Sequence, residues 1–390
     1  MKLVKHVVCI LCFCVLASLY LSGAEAQAKK DYTVTPKTKV SGNYAKSKSL
    51  NKHTKHYLML KYYMGKLEKQ GGGTLTFKKG TYKITNILYV PSNVTIQFED
   101  GVTIIKSKKV GKAKFKAADG IFQVVPYSLS LKKKKGKGYN GSKNVTFVGT
   151  GNVTIDLKNV KNSKAIVAAH CQNVTVEGIT FQNMNSGHFL EVDAVNGLTV
   201  RNCTFRNAAS STPYTKEAIN IDVPDPVTGG VNLYWSSLDR TPNQNVTIEN
   251  CTFSNLKRGV GSHKYSQKKS GGKWSVNCYH ENIIIRNNVF SDMKDTGVFM
   301  LNWRNATLQG NRFDANKLCM NFRGVQAPVA IQGNDFGTST VTQVFGKKQT
   351  ILQKAYKSPG KGDIYSPIYN NPGFTTLSEI LAMNSQPIAG

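Results

Sequence analysis

The chain has 390 residues, 40% of them hydrophobic, and a formal net charge of +30. The charge favours an anionic partner, such as nucleic acid, an acidic glycan or an anionic cell wall, although a lysine-rich solvated surface is the alternative. Five of the eight cysteines follow residue 26, an odd number that argues against a disulfide framework, and no Cys or His cluster has the spacing of a zinc site.

The first residues have the features of a secretory signal. An apolar run, Val7–Leu21, follows two lysines, and Ala24-Glu25-Ala26 is a small-x-small cleavage pattern. The run is too short for a membrane span, with an uncleaved anchor as the alternative. We therefore expect residues 1–26 to be removed and the mature protein to be secreted, without membrane attachment and without access to nucleic acid.

A polar segment and a helix come next. Residues 27–50 are basic and poor in core residues, which predicts an arm. Tyr57, Leu60 and Met64 then follow at helical spacing, up to a triple glycine that begins at Gly71. We expect this helix to cover one end of a stack of coils, because an uncovered end exposes core side chains and strand edges.

A short phrase then recurs along the chain. Its copies are NVTVEGITF, NGLTVRNCTF, NVTIENCTF, NIIIRNNVF, NATLQGNRF and PVAIQGNDF, ending at Phe181, Phe205, Phe253, Phe290, Phe313 and Phe336. A period in the twenties with strand-like content predicts a solenoid, here an all-β right-handed parallel β-helix over residues 51–340. Residues 341–390 lose the repeat and are predicted to be a tail or cap, with a short helix at Thr375–Met383.

The repeat also assigns positions within each coil. The Phe side chains are expected to stack in the core, and the Asn of each Asn-x-Thr triplet to mark the same turn and form a ladder, rather than to be a glycosylation acceptor. Cys203 and Cys251 occupy the same position of the phrase, so they are expected to pack in the core as small apolar residues.

A second strand follows each phrase, and its alternation separates inward from outward residues. The strands are HFLEVD, AINID, GVGSH, GVFML and CMNFR. One outward column reads Glu191, Asn220, Gly261, Phe299 and Asn321. The other outward column reads Asp193, Asp222, His263, Leu301 and Arg323.

These columns predict a catalytic row. Adjacent coils lie about 4.8 Å apart, so Asp193, Asp222 and His263 would face solvent on three successive coils, with Glu191 beside Asp193. Like charges that close raise the pKa of one carboxyl group, and a protonated acid beside an ionised one suits general acid–base chemistry. A solvated ladder of polar residues is the alternative. Glu217, at the start of its strand, is expected to flank Asp222.

The regions around these strands predict a groove for a sugar chain. Two long departures from the repeat, Val223–Asn243 and Lys264–Glu281, would wall it, and Gly259-Val260-Gly261 would leave room for a ligand. Aromatic faces suit stacking on sugar rings. The predicted substrate-binding residues are Trp235, Trp274, Trp303, Tyr265, the rim residue His188, and Arg258, Lys264 and Arg323 as partners of a substrate carboxylate.

The helical plug, the repeat and the opening GGGTLTF…GTY…SNVTI resemble the pectin-lyase-like superfamily over residues 55–340. The resemblance implies a secreted, polysaccharide-processing protein. Asn220-Ile221-Asp222 matches the start of the polygalacturonase pattern, but the Asp-Asp pair that should follow is missing. Pectate lyases would carry a calcium cluster of several Asp and an Arg base, which Asp193, Asp222 and Arg323 reproduce only in part. Calcium therefore stays an open option.

Three functions remain open at this stage. The first is a polysaccharide lyase acting on an acidic glycan, in which His263 or a nearby Tyr removes the proton. The second is a glycoside hydrolase that uses Asp193 and Asp222 as its carboxyl pair. The third is a β-helix that binds glycan without cutting it. In each case we expect a monomer.

Overall fold

The computed structural model describes residues 30–226, 228–262, 267–270, 273–276, 278–337, 339, 342–343 and 377–387. The chain divides into two compact units, residues 1–30 and 31–390, and the fold is that of the second. The predicted signal peptide lies outside the described residues, as do His263, Lys264 and Tyr265. Among the residues that the structure describes, no helix has both the length and the apolar composition needed to cross a lipid bilayer.

The secondary structure is almost entirely β. The strands are β1 Tyr32–Val34, β2 Gly73–Phe77, β3 Gly80–Ile84, β4 Leu88–Tyr89, β5 Val94–Phe98, β6 Val102–Lys106, β7 Gly120–Gln123, β8 Lys143–Gly149, β9 Thr154–Asp156, β10 Lys164–Glu177, β11 Thr180–Met184, β12 His188–Arg201, β13 Thr204–Ala208, β14 Glu217–Asp222, β15 Gln244–Glu249, β16 Thr252–Gly261, β17 Gln267–Ser270, β18 Lys273–Val276, β19 His280–Arg286, β20 Val289–Leu301, β21 Trp303–Gln309, β22 Arg312–Asp314, β23 Leu318–Arg323, β24 Gln326–Gln332 and β25 Thr342–Gln343. The helices are α1 Lys55–Lys69, α2 Tyr127–Ser130 and α3 Leu377–Asn384.

The strands stack in three parallel sheets, one strand from each coil in turn, which confirms the predicted parallel β-helix. The first sheet contains β1, β2, β5, β8, β10, β12, β15, β19, β21 and β24. The second contains β3, β6, β9, β11, β13, β16, β20 and β22. The third contains β4, β7, β10, β12, β14, β16, β20, β23 and β25.

Long strands turn the corner between sheets. The N-terminal half of β10 and of β12 lies in the third sheet and the C-terminal half in the first. At the corner, His170 and Ala194 have φ of 51° and 54°, a conformation that bends the strand without ending it. The candidate residues on β12 therefore lie directly before a corner.

The core repeats from coil to coil. The Phe that ends each phrase stacks on the next one, with ring centroids 4.7–6.1 Å apart, as predicted. The Asn ladder is also confirmed: Asn144, Asn173 and Asn245 have positive φ, and each donates its side-chain amide to the Asn of the preceding coil. Cys203 and Cys251 are buried thiols in the core.

Helices cover both ends of the described stack. Tyr57, Leu60 and Met64 of α1 are buried in the core, as their spacing predicts. At the other end, Ile380 of α3 is fully buried, and the Asn384 side-chain oxygen accepts a hydrogen bond from Asn334.

Two stretches of the predicted arm have a regular structure, a strand at Tyr32–Val34 and a turn of 3₁₀ helix at Gly42–Tyr44. Tyr32–Val34 pairs in parallel with Leu75–Phe77 and adds a first rung to the stack.

Candidate functional site

The register of the third sheet brings the predicted acids together. Glu191 pairs with Asn220, and Asp193 pairs with Asp222 on the next coil. Carboxylate oxygens of Glu191, Asp193 and Asp222 all lie within 4.8 Å of one another. We call these three residues the acidic cluster. Three acids separated by up to 31 positions in the sequence thus share one site.

The acidic cluster is buried, so the predicted solvent-facing row is wrong in this respect. The exposed fraction is 0% for Asp193, 3% for Asp222 and 5% for Glu191. The side chains do point away from the coil interior, but residues 223–226 and 228–243, which we call the cover loop, fold back over the third sheet. This insertion therefore covers the acidic cluster in addition to forming one wall of the groove.

Specific hydrogen bonds hold the cover loop on the sheet. At its end, the Asn243 side-chain nitrogen donates to the backbone oxygens of Asp222 at 2.7 Å and of Val192 at 3.1 Å. In its middle, Trp235 Nε1 donates to Gln123 Oε1 at 3.2 Å. A Cβ on Gly230 would collide with Asp193, so the loop backbone lies directly against that carboxyl group.

A pocket of about 650 Å³ lies between the cover loop and the third sheet. Its lining combines three carboxyl groups, Asp119, Glu191 and Asp222, with the imidazole of His188. Residues 228–235 form its loop side. Other residues that line it are Tyr89, Gln123, Lys164 and Lys216. The pocket therefore presents acid–base groups together with ammonium and aromatic groups.

Asp193 lies behind this pocket rather than in its lining. Neither of its carboxyl oxygens has a hydrogen-bond partner among the described residues. Burial raises the pKa of Asp193 well above its ordinary value, and the neighbouring Glu191 and Asp222 raise it further. The Asp193 carboxyl therefore keeps its proton to a higher pH than a solvated carboxyl does, at a position close to Glu191 and Asp222.

Glu191 is the best-oriented acid in the pocket. Its Oε1 accepts a hydrogen bond from Asn220 Nδ2 at 2.9 Å. Its Oε2 lies 3.8 Å from His188 Nε2 and 3.9 Å from Lys164 Nζ. One carboxylate oxygen of Glu191 is therefore held by Asn220, and the other lies close to the imidazole of His188 and the ammonium of Lys164.

Glu217 and Arg258, predicted as site residues, form an ion pair beneath the pocket instead. Arg258 Nη1 lies 3.0 Å from Glu217 Oε1, and its Nε bonds Asp295. Glu217 is fully buried, and Arg258 is 4% exposed with its guanidinium 3.9 Å from the Phe299 ring centroid. Neither side chain lines the pocket. Their spacing in the sequence gives no sign that the two residues pair with each other.

Arg323 is also a buried residue rather than a partner of substrate. It is 4% exposed, with Nε 3.3 Å from Asn321 Oδ1, and it lies on the Phe299 ring. Phe299 also occupies the space that the glycines were predicted to leave, because a Cβ on Gly261 would collide with the Phe299 backbone oxygen.

The three tryptophans have different places. Trp303 is fully buried in the core, so the prediction that it binds sugar is wrong. Trp235 lines the pocket but is only 3% exposed, and it mainly anchors the cover loop. Trp274 lies in β18, which pairs antiparallel with β17, and its side chain lies outside the described part.

Several pocket residues were missed in the sequence. Lys164 pairs in register with His188, so extending the alignment one coil upstream would have found it. Asn220 was placed in the correct column without a role. Tyr89 and Gln123 lie on short strands that precede the recurring phrase, where no repeat signal marks them.

The acidic cluster also has the donor set of a hard cation. Carboxylate oxygens are the ligands that Ca²⁺ prefers. The Asn220 Oδ1 atom, without a hydrogen-bond partner among the described residues, is a further oxygen beside Glu191. If a cation binds here, Glu191, Asp193 and Asp222 are the residues that would hold it.

Comparison with known proteins supports the fold. The family profile described as right handed beta helix region matches residues 138–336, about half of the chain. Plasmin and fibronectin-binding protein A of Streptococcus pneumoniae is 24% identical over 260 residues, which cover 63% of this chain and 35% of that protein. The chain therefore spans about a third of the length of that relative.

Solved structures give the same result. A structure of the Streptococcus pneumoniae surface protein and adhesin PfbA has a TM-score of 0.54 at 19% identity, covering 74% of this chain and 75% of the other. A second PfbA structure has a TM-score of 0.50 at 18% identity, covering 69% of each chain. At this level of identity the likeness shows the fold.

Proposed function

The chain belongs to the right-handed β-helix family, and we propose that it is an exported protein that binds a glycan along its third sheet and cleaves a glycosidic bond there. The proposal names Glu191 and Asp222 as the carboxyl pair in contact with substrate. His188 assists them, and Asp193 supports them from behind. Export rests on the signal at residues 1–26, and we propose that the protein acts as a monomer.

One observation carries the proposal. Glu191 and Asp222 both line a pocket large enough for sugar rings, and their oxygens lie within 4.8 Å of each other. Glycosidases that retain the anomeric configuration use two carboxyl groups about 5–5.5 Å apart, whereas inverting enzymes use about 6.5–9.5 Å. The spacing therefore favours a retaining hydrolase, with one acid protonated and the other ionised.

Elimination at a uronate is the second way to cut the same bond. It was favoured in the sequence because His263 would take the proton, and that residue lies outside the described part of the chain. The described groups supply a carboxyl pair for hydrolysis, whereas the residue that elimination would use to remove the proton is not among them. A lyase forms an unsaturated uronate that absorbs ultraviolet light, whereas a hydrolase forms none.

The proposed substrate is an acidic glycan. Lys164 and Lys216 line the pocket, and Lys132–Lys135 follow the pocket residue Ser130 along the chain. The lysine ammonium groups attract an anionic glycan over several ångströms, and the net charge of +30 attracts it over longer distances. The anionic substituents of the sugar would pair with Lys164 and Lys216, and the glycosidic oxygen would lie next to the carboxyl groups of Glu191 and Asp222.

A binding role without cleavage is the second candidate. The pneumococcal relative is by its name a plasmin and fibronectin-binding protein, and the solved structures are of an adhesin. The burial of the acidic cluster favours this candidate too, because covered acids are less accessible to a substrate than exposed ones. In that case the cover loop presents the surface and the acids support it.

The test is a polysaccharide panel incubated with purified mature chain. Polygalacturonate, alginate, hyaluronan, chondroitin sulfate and neutral xylan would be assayed for new reducing ends and for unsaturated products, with calcium and with a chelator. We expect reducing ends without ultraviolet absorbance, abolished in Glu191→Gln and Asp222→Asn. Binding of a polysaccharide that is never cut, with the same affinity in both variants, would establish the binding role instead.

A further inference from the structure

We propose that a groove at the N-terminal end of the pocket is a distal subsite for the same glycan, and that it takes a sugar carrying an anionic group. The groove is lined by Tyr44, Lys61, Met64, Gly65, Tyr89 and Tyr127. We call it the tyrosine groove. The proposal rests on the proposed function of the pocket and specifies the length and charge of its substrate.

The register of the third sheet connects the two sites. Tyr89 pairs with Gln123, Gln123 with Val167, and Val167 with Glu191. Tyr89 therefore stands three rungs from Glu191, about 14 Å at the usual strand spacing. Tyr89 also lines both the pocket and the tyrosine groove. A chain of several sugars bound at Glu191 along the stack would reach this point.

The tyrosine groove offers ring faces on a rigid support. The Tyr89 and Tyr127 rings lie 5.6 Å apart, and Tyr127 is 38% exposed although it is a large aromatic residue. The backbone amides of Tyr127 and Ser128 both donate to the Glu68 carboxylate at 2.9 Å. That bond ties α2 to α1, so the exposed ring is held in position for stacking on a sugar.

Lys61 supplies the charge in this groove. Its Nζ lies 4.9 Å from the Tyr127 ring centroid, 5.3 Å from that of Tyr44 and 5.9 Å from that of Tyr57. Among the described residues no carboxylate lies within ion-pairing distance of it. Ring faces attract an ammonium but accept its hydrogen bonds poorly. A carboxylate or sulfate on a sugar would give Lys61 the acceptor that the protein does not.

The groove is small, about 30 Å³, so it admits the anionic group alone, and the sugar ring would lie across its opening. A Cβ placed on Gly65 would meet nothing within 4 Å, so the surface is open in front of α1 at this position. Gly65 lies one turn after Lys61 and one position from Met64, so the open space adjoins the ammonium. One exposed and two partly buried rings thus occur together with open space and an ammonium that has no carboxylate within ion-pairing distance in the described part of the chain, in line with the pocket.

The test compares oligosaccharides of different length. Disaccharides and hexasaccharides from polygalacturonate, alginate, hyaluronan and chondroitin sulfate would be titrated calorimetrically into the mature chain carrying Glu191→Gln, which leaves the ligands intact. For the glycan that binds, we expect the hexasaccharide to bind about tenfold tighter than the disaccharide. Adding Tyr127→Ala or Lys61→Met should reduce this preference to about twofold or less.

Matched controls come from the same helix. Lys66 lies 5.8 Å from the Tyr62 ring centroid, a similar ammonium–ring pair outside the groove. Lys66→Met and Tyr62→Ala should keep the full length preference, as should Tyr127→Phe. A preference that is absent in the parent protein, or that survives Tyr127→Ala and Lys61→Met, would overturn the subsite. If Glu191→Gln still abolishes cleavage in that case, the proposed function stands, whereas failure of all four glycans to bind or be cut removes both.

Discussion

The imidazole Nδ1 of His188 lies 2.7 Å from the backbone carbonyl oxygen of Glu217. A carbonyl oxygen only accepts, so Nδ1 carries a proton, and Nε2 is the nitrogen that acts as an acceptor when the ring is neutral. That nitrogen lies 3.8 Å from Glu191 Oε2. The backbone of the next coil therefore decides which ring nitrogen faces the carboxyl pair, and it leaves a base beside Glu191.

Replacing this imidazole separates its chemistry from its structural bond. In His188→Asn the shorter amide can still donate to the Glu217 carbonyl but offers no base near Glu191. We expect the cleavage rate to fall by about 10²–10⁴-fold, the usual contribution of a positioned acid or base. The free energy of unfolding should change by no more than about 1 kcal/mol. Initial rates and denaturant titrations measure the two effects. An unchanged rate would remove His188 from the proposed mechanism.

The raised pKa of Asp193 predicts a pH dependence of stability. As pH rises above the ordinary carboxyl pKa of about 4, the unfolded chain releases this proton while the folded chain keeps it. The folded state then binds more protons, so the free energy of unfolding falls with rising pH until the raised pKa is passed. Asp193→Asn cannot ionise and should not show this fall. The melting temperature of Asp193→Asn minus that of the parent should therefore become more positive as the pH rises from acidic to neutral.

A surface carboxylate is the control for this measurement. Asp292 is about half exposed and pairs with Lys294, so Asp292→Asn should change little at any pH. Melting curves of the parent and both variants at several pH values give the comparison. A constant difference between Asp193→Asn and the parent across the pH range would mean that Asp193 titrates like a solvated acid, contrary to its burial.

The sequence predicted the coil register well because the pattern that sets it is periodic. Leu190, Ile219 and Val260 alternate with polar residues and must face the core, and a slip of one residue would turn the acids into the coil interior instead. That alternation alone placed Asp193 opposite Asp222, as the structure has it. Likewise the spacing of Phe181 and Phe205 was sufficient to predict their stack.

The surroundings of the site were less predictable because they depend on contacts without a period. The cover loop buries the acidic cluster through Asn243 and Trp235, whose partners lie on other coils. Arg258 was predicted to bind substrate because the sequence does not distinguish an arginine in a buried ion pair from an exposed one. Trp303 directly follows the polar Asn302 and still lies in the core. Its burial depends on the space available there, which no period in the sequence reveals.

A second Asn ladder, buried and formed by Asn288, Asn311 and Asn334, predicts a pair of contrasting substitutions. Asn311 Oδ1 accepts from the backbone and side-chain amides of Asn288, and Asn311 Nδ2 donates to the Ile285 carbonyl at 2.8 Å. In Asn311→Ala the backbone N–H of Asn288 and the Ile285 carbonyl lose this buried side-chain partner, while Asn288 Nδ2 keeps its bond to the Ile248 carbonyl, and each buried group left unpaired costs about 1–3 kcal/mol. Asn305, with φ of 50°, belongs to the exposed ladder. Asn305→Gly keeps that backbone conformation and should cost less than about 1 kcal/mol. Urea titrations that gave equal losses would contradict the difference in burial.

The Arg258–Glu217 pair predicts the largest loss of stability. Arg258→Met leaves the Glu217 carboxylate fully buried without its guanidinium, and removing one partner of a buried pair costs about 3–5 kcal/mol. Arg286 forms a similar pair with Glu249, 2.6 Å long but with the arginine side chain 45% exposed. Arg286→Met should therefore cost less than about 1 kcal/mol. Because Glu217 also holds His188 through its backbone, Arg258→Met should lower the cleavage rate even where the protein remains folded. A small stability loss with an unchanged rate would show that the pair neither supports the third sheet nor positions the imidazole.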